Sequence, residues 1–437
     1  MDFLVQPTQL KSGTVTVPGD KSISHRALLL GAVAEGQTVV EGFLAGDDCL
    51  ATLASLNALG VYIGRDDDAT TVRIDGVGLN GLSKPDKALN LGNSGTGMRL
   101  LTGLLCGQDF DSTLMGDASL SSRPMHRIIE PLSQMGASVD SDDGKPPLFI
   151  HGGRVLNGIH YTLPVASAQV KSAILLAGLY AKGETVVIER TVTRDHTERM
   201  LKAMGAGVSG DGGHIRLQAT GRLEATNIQV PADLSSAAFV MLAALIAKDA
   251  DVLISNVGVN PTRTGVIEVL REMGGDISIE NPQLFGEEPV ADIRVKSSVL
   301  HGITVDPSLV SLAIDEFPIL FVAAANAVGS TRFSGIGELR VKESDRISAM
   351  ATGLRQMGIK IDESEDAAEI HYGEPSGAII DSFGDHRVAM SFAVAATIAD
   401  SAVRVRNIDT VDTSFPGFSE VMRSLGVSIS KEQPSQT

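Results

Sequence analysis

Several short polar stretches of this chain hold residue types that together would make an anion site. In PGDKSISHR, Lys21, Ser22 and Arg26 fall within about a turn and a half of helix, offering a point charge, a hydroxyl and a planar fork. LGNSGTGMR adds Asn93, Ser94, Gly95 and Thr96, where glycine lets a ligand approach the backbone and the hydroxyls cap a helix. DASLSSRPMHR supplies Arg123, PVASAQVKS supplies Ser167, Ala168 and Gln169, and TRDHTER supplies Arg194 and His196. Farther on come Asp315 and Glu316, then Glu338, Arg340, Lys342, Glu343, Asp345 and Arg346 in ELRVKESDR, and Arg387 in FGDHRVAM. Taken singly, helix capping and surface ion pairs account for such residues equally well. Carboxylates interleaved with cations suit either a solvated face, or a site where acid and base groups act while cations hold phosphate or carboxylate.

Other familiar chemistry fails on context. Gly76, Gly78 and Gly81 satisfy G-x-G-x-x-G after TTVRID, yet Pro85 stands where a nucleotide-binding helix would run, so a turn is expected there. The chain has neither a G-x-x-x-x-G-K-[ST] phosphate loop nor H-E-x-x-H. His25, His126, His196 and His386 are scattered over different segments, which favours core, capping or substrate contacts over a metal centre.

The elements that must position these residues recur six times. Each repeat has an apolar run, a short β-branched run, an amphipathic helix closed by a Leu/Met-Gly stop, and more strand. The stops are Gly60, Gly136, Gly205, Gly274, Gly358 and Gly426, each expected to end a helix and hand the chain to a strand. The apolar runs, such as ALLLGAVA, AILLAGLYA and AFVMLAALIA, are apolar nearly all round and so are expected to be buried helices. The polar stretches PGDKSISHR, LGNSGTGMR, PVASAQVKS, PADLSS, AIDEFP and FGDHRVAM stand immediately before them. Helix N-termini carry unpaired N–H groups and a positive dipole end, so several of them facing one cleft would bind anions.

A length of 437 residues suggests two domains, with three repeats in each and a break near Pro231. Hydrophobic residues at 43% and charged residues at 20% describe a globular chain rather than a disordered one. With 36 Lys+Arg against 53 Asp+Glu the net charge is −17, which argues against nucleic acid or an anionic membrane as partner. The longest apolar stretch, Ala237 to Ala247, is short of the roughly 18 residues of a membrane span, and Met1 to Gly13 lacks a signal-peptide apolar region. A cytoplasmic protein is therefore expected, with Cys49 and Cys106 reduced.

Taken together, K-S-x-S-x-R, G-N-x-G-T, R-P-M-x-R, S-A-Q-x-K-S, K-E-S-D-R and D-H-R, running from PGDKSISHR to TSFPGF, closely resemble the 5-enolpyruvylshikimate-3-phosphate synthase family of enolpyruvyl transferases. The resemblance implies an α/β fold of two similar lobes that close over the substrates, each made of three repeated units with buried helices, an inside-out α/β barrel. The lobes would comprise residues 19–231, carrying mainly the shikimate-phosphate contacts, and residues 1–18 with 232–437, carrying the catalytic carboxylates and phosphoenolpyruvate contacts. The implied reaction moves the enolpyruvyl group of phosphoenolpyruvate to the 5-hydroxyl of shikimate 3-phosphate, without metal or organic cofactor, in a cytoplasmic monomer.

Carried over by motif, Lys21, Ser22, Arg26, Ser167, Ala168, Gln169, Arg194, Asp315 and Lys342 would contact shikimate 3-phosphate. Lys21, Asn93, Gly95, Arg123, Gln169, Arg346 and Arg387 would contact phosphoenolpyruvate. Asp315 resembles the acceptor of the 5-hydroxyl proton, Glu343 the group that manages the proton at the methylene carbon, and Lys21 shares the catalytic work. Ala168 stands where many relatives carry a second serine, and TSFPGF lacks a lysine found beside Phe-Pro in one branch. Glu338 and Leu339 also depart from that branch, which places this chain in the other one. The small Gly95 implies sensitivity to glyphosate. The sister transfer to UDP-N-acetylglucosamine would call for Lys-Asn at 21–22 and a reactive cysteine between Gly116 and Arg123, and neither is present.

Overall fold

The computed structural model describes residues 1–66, 70–211 and 213–433. They divide into two compact units: a first unit of Gly19–Val230 with Leu284–Glu288, and a second of Met1–Pro18, Pro231–Gln283 and Pro289–Thr437. Each unit has its own continuous apolar core.

Six helices form the middle of these cores: α1 (Lys21–Ala32), α2 (Gly95–Leu105) and α3 (Ala168–Gly178) in the first unit, α4 (Leu234–Ile246), α5 (Phe317–Ala325) and α6 (His386–Ala395) in the second. Every residue of α4, α5 and α6 is buried, as expected of helices with no polar face. Side chains satisfy first-turn N–H groups in five of the six, α5 having no side-chain cap. Asp20, Ser94, Ser167, Asp233 and Asp385 accept from backbone N–H groups in the first turns of α1, α2, α3, α4 and α6.

The six repeats share one sheet plan. In the second repeat, Leu89–Asn90 leads into α2, which returns to the parallel strand Ser112–Met115 in the register Leu89 to Leu114. The helix His126–Gln134 follows, and Lys145–His151 and Ser138–Asp142 complete the sheet antiparallel. The third repeat orders its strands in the same way. The first and fourth repeats borrow their leading strand from distant sequence. Ile228–Gln229 pairs parallel with Val40 and Glu41, while Gly13–Val15 pairs parallel with Val252–Ile254. The sixth takes a central strand from the N-terminus, since Asp2–Val5 lies between Val403–Arg406 and Ile429–Glu432. In the fifth, Ser330–Ser334, Ala367–His371 and Ile361–Glu363 form three strands, and only the parallel bridges His301–Val328 and Thr304–Arg332 stand where a leading strand would run.

The six glycine stops all take positive φ, from 82° at Gly205 and Gly358 to 101° at Gly136, the left-handed turn that ends a helix and that side chains with a Cβ resist. Gly103 has another duty. A Cβ there would come within 2.3 Å of the Ala173 carbonyl oxygen, so α2 and α3 pack backbone against backbone, which sets their N-termini side by side. The glycines at 76, 78 and 81 end the strand Val72–Val77 and lead into irregular chain, with Gly78 at φ 75°. Cys49 and Cys106 are buried and form no disulfide, and burial pushes the Cys106 thiol up to about 12. Among the described residues no helix is long and apolar enough to cross a membrane.

Candidate active site

Within the first unit the opening turns of α1, α2 and α3 are joined by side chains. The Gln169 amide donates to Thr96 Oγ1 at 2.8 Å and accepts from Arg99 Nη1 at 2.6 Å, which ties α3 to α2. Arg123, from the loop before helix His126–Gln134, donates to Asn93 Oδ1 at 2.6 Å and to Ser119 Oγ at 3.2 Å. Asn93 in turn donates to Asp117 at 2.8 Å. Gly95 opens α2 beneath two cations, for a Cβ there would lie 3.0 Å from Arg99 Nη1 and 3.1 Å from Arg123 Nη1.

On α1 the Lys21 ammonium pairs with Asp48. Arg26 is only 3% exposed, and its guanidinium donates to Thr197 Oγ1 at 2.7 Å, Ser172 Oγ at 2.7 Å and the Ser22 carbonyl at 2.9 Å. Burial, opposed by the negative charge of Glu198, pushes Arg26 down to about 10, which leaves it charged at neutral pH. Arg194 donates to Ser22 Oγ at 3.3 Å, so it shares the α1 opening with Lys21 and Arg26. His25 lies buried between Thr52 and Ser94, and burial together with Lys21 and Arg26 holds it well below the usual histidine range. It is therefore a neutral packing residue at pH 7.

The second unit gathers its charges where α5 and α6 begin. Arg346, at 1% exposure, donates through Nε to Asp385 Oδ2 at 2.8 Å and through Nη2 to Glu343 Oε2 at 2.5 Å, with Nη1 3.6 Å from Asp315 Oδ1. Burial would lower Arg346, but Asp385, Glu343 and Asp315 outweigh it and hold the guanidinium above its ordinary range. Asp385 is buried too, and Arg346 overcomes that burial and keeps its carboxyl below the ordinary range. Lys342 Nζ lies 3.7 Å from Asp315 Oδ1. Arg387 donates to the Asp315 carbonyl at 3.0 Å and lies 3.8 Å from Glu316 Oε1. Behind them the buried Glu316 accepts from Ser235, and Arg263 binds Asp233 at 3.1 Å and Ser235 at 2.7 Å, which links α4 to α5.

The residues singled out from sequence thus form two groups. The first unit brings Lys21, Ser22, Arg26 and Arg194 to the start of α1, and Asn93, Gly95, Arg123 and Gln169 to the starts of α2 and α3. Ser167 caps α3 through Val170 N, and Ala168 is its first residue. The second unit brings Asp315, Lys342, Glu343, Arg346 and Arg387 together. Some charged residues that sequence left open are structural here. Arg340 is held by Asp345 at 2.6 Å and by the Glu365 carbonyl, and His196 pairs with Glu288 at 2.7 Å in the first unit. Three residues of the network escaped sequence reasoning. Arg99, the last residue of LGNSGTGMR, lies one turn after Gly95 and so on the same face, a legible signal. Asp385 stood in the D-H-R motif, where an aspartate just before an apolar run is the signal of an N-cap, but nothing there marks it as the partner of Arg346. Arg263 stood in NPTRTG with no pattern to mark it. Among the described residues no three His, Cys, Asp or Glu side chains converge as metal ligands would.

Comparison with known proteins extends the picture. The model of the family EPSP synthase (3-phosphoshikimate 1-carboxyvinyltransferase) matches residues 5–422. The chain is 54% identical over 428 residues to the 3-phosphoshikimate 1-carboxyvinyltransferase of Methylococcus capsulatus, covering 98% of each. It is 52% identical over 418 residues to that of Legionella pneumophila (strain Lens), covering 96% of each. Among solved structures it is similar to EPSP synthase from Acinetobacter baumannii, with TM-score 0.87 and 51% identity over 98% of this chain and 100% of that one.

Proposed function

The chain belongs to the EPSP synthase family, and on that premise we propose that it transfers the enolpyruvyl group of phosphoenolpyruvate to the 5-hydroxyl of shikimate 3-phosphate, releasing inorganic phosphate. The observation that carries the reading is Arg346, a permanently charged guanidinium sealed at 1% exposure beside two carboxylates that stay accessible, Asp315 at 17% and Glu343 at 25%. A buried pair made only for stability would neutralise itself and close over. This cluster instead presents acid and base groups around a fixed positive charge, as a reaction between two anionic substrates requires.

The reaction divides among these residues. The substrate hydroxyl oxygen bonds to C2 of phosphoenolpyruvate while Asp315 takes the hydroxyl proton and C3 gains a proton from Glu343, giving a tetrahedral intermediate. Glu343, left as a carboxylate, then takes a proton back from C3, which restores the C2–C3 double bond, and the phosphate departs with the electron pair of its C2–O bond, assisted by Lys21. Arg123, Arg346 and Arg387 hold the phosphoenolpyruvate anions, with Asn93 orienting Arg123, Gly95 leaving room, and Gln169 fixed by Arg99 and Thr96. Lys21, Ser22, Arg26, Ser167, Gln169, Arg194 and Lys342 bind shikimate 3-phosphate, and Ala168 contributes backbone alone. Several fixed cations offset the substrates' charges without the reorganisation that water would need. Under the same reading the enzyme works as a cytoplasmic monomer.

The test supplies purified protein with phosphoenolpyruvate and either shikimate 3-phosphate or UDP-N-acetylglucosamine and follows phosphate release. Release is expected with shikimate 3-phosphate alone; release with only the sugar nucleotide overturns the proposal.

A further inference from the structure

We propose that Ser172 and Thr197, two buried hydroxyl residues, are positioning residues that hold Arg26 in its working orientation and couple it to the first turn of α3. The inference rests on the reading above that Arg26 contacts shikimate 3-phosphate. Arg26 gives Nε to Thr197 Oγ1 and Nη2 to Ser172 Oγ, both at 2.7 Å, so the two hydroxyls take one edge of the guanidinium plane as a pair of acceptors.

Proton accounting gives this arrangement a direction. A guanidinium only donates, so both hydroxyl oxygens accept from it. Ser172 Oγ also lies 2.7 Å from the carbonyl of Ala168, which has no proton to give, so the Ser172 proton points there. The 2.8 Å contact between the two hydroxyls must then carry the Thr197 proton toward Ser172. One chain results, from Arg26 and Thr197 through Ser172 to the backbone at the start of α3, and both hydroxyls are satisfied with no other arrangement of protons. Arg26 spends its third bond on the Ser22 carbonyl, which leaves one N–H on each terminal nitrogen for a ligand.

The next residues along both helices lock the pair in place. Lys171, beside Ser172, and Glu198, beside Thr197, form an ion pair at 2.7 Å, and Lys171 also binds Glu189 at 3.0 Å and the Thr193 carbonyl at 3.3 Å. Lys171 is 1% exposed and reaches no surface where it could meet a substrate. Hydroxyl and ionic contacts thus form two successive rungs between α3 and the helix His196–Ala203, and they fix both the angle and the depth at which Arg26 is presented.

The experiment compares Ser172→Ala, Thr197→Val, Thr197→Ser and Arg26→Ala with the parent by steady-state kinetics in both substrates, by calorimetric binding of shikimate 3-phosphate and by thermal melting. Ser172→Ala and Thr197→Val are each expected to raise KM and Kd for shikimate 3-phosphate about tenfold, as loss of one hydrogen bond to a charged group would. KM for phosphoenolpyruvate and kcat should stay within about twofold, and Thr197→Ser, which keeps the oxygen, should restore the parent values. Ser172→Ala removes a single oxygen and carries the comparison should Thr197→Val not fold. If Arg26→Ala weakens shikimate 3-phosphate while both hydroxyl variants bind it like the parent, the positioning role is refuted. It is also refuted if the losses fall equally on both substrates. If Arg26→Ala itself leaves shikimate 3-phosphate binding unchanged, the contact assigned to Arg26 falls, and this inference with it.

Discussion

Gly95→Ala separates the demands of binding from those of folding, because binding should weaken while folding holds. The added methyl would stand 3.0 Å from Arg99 Nη1 and 3.1 Å from Arg123 Nη1, against the roughly 3.5–4.0 Å of a relaxed contact. Both guanidinium groups must therefore retreat by about half an ångström. Neither retreats alone, since Arg123 is held by Asn93 and Arg99 by Gln169, each at 2.6 Å. A misplacement of 1 Å costs about a hundredfold, so half of that predicts about a tenfold rise in KM for phosphoenolpyruvate, about 1.4 kcal/mol. Folding should not suffer. Gly95 has no positive φ, and Gly→Ala at a compatible site stabilises by about 0.4–1 kcal/mol through the unfolded chain, which offsets the crowding at the two side-chain ends. Initial rates over a range of phosphoenolpyruvate at saturating shikimate 3-phosphate, with a thermal melt beside them, decide the matter. An unchanged KM for phosphoenolpyruvate in a normally folded variant would refute the reasoning, as would an equal loss for both substrates.

Other substitutions probe the remaining groups. Asp385→Asn keeps an oxygen to cap α6 but removes the charge facing Arg346, so chemical denaturation should report a loss of about 3–5 kcal/mol; a loss below about 1 kcal/mol would contradict the buried-pair account. Asp315→Ala and Glu343→Ala should fold normally, keep shikimate 3-phosphate binding within a few fold and lose turnover by about 10²–10⁴-fold; full turnover in both would remove them from the chemistry. His25 is held below its ordinary value of 6.5, so the unfolded chain binds more protons as pH falls beneath that point. Its contribution to stability is present above pH 6.5 and fades as pH drops. Melting temperatures between pH 7 and 5 should fall more steeply for the parent than for His25→Gln, and parallel curves would exclude the effect.

Much of this architecture is written in local patterns. The six Leu/Met-Gly stops were legible because a left-handed turn leaves glycine as the favoured residue, and the buried helices because no polar face interrupts ALLLGAVA or AFVMLAALIA. Five of the six polar openings were legible because a buried helix favours a capping side chain. Strand exchange was not, since no local rule says that Gly13–Val15 pairs with Val252–Ile254 while Ile228–Gln229 completes the first sheet. The cations were identified by type and motif, yet their partners belong to tertiary packing. Nothing near Arg26 in sequence announces Ser172 or Thr197, and nothing near Arg263 announces Glu316. Arg340 and Arg346, six residues apart, show the limit: one braces a loop against the Glu365 carbonyl, the other sits among three carboxylates, and composition alone does not tell them apart.

The borrowed strands impose a schedule on biosynthesis. The residues from Gly19 to Val230 include all three buried helices of one core, so most of that unit can consolidate as soon as it leaves the ribosome. Asp2–Val5 is made before any of it, yet its hydrogen-bonding neighbours are Val403–Arg406 and Ile429–Glu432. At about 5–20 residues per second, that N-terminal segment waits on the order of 20–80 s for its partners. Throughout that interval an apolar strand has no sheet to join, which makes this segment a natural point of chaperone dependence and of misfolding in truncated products.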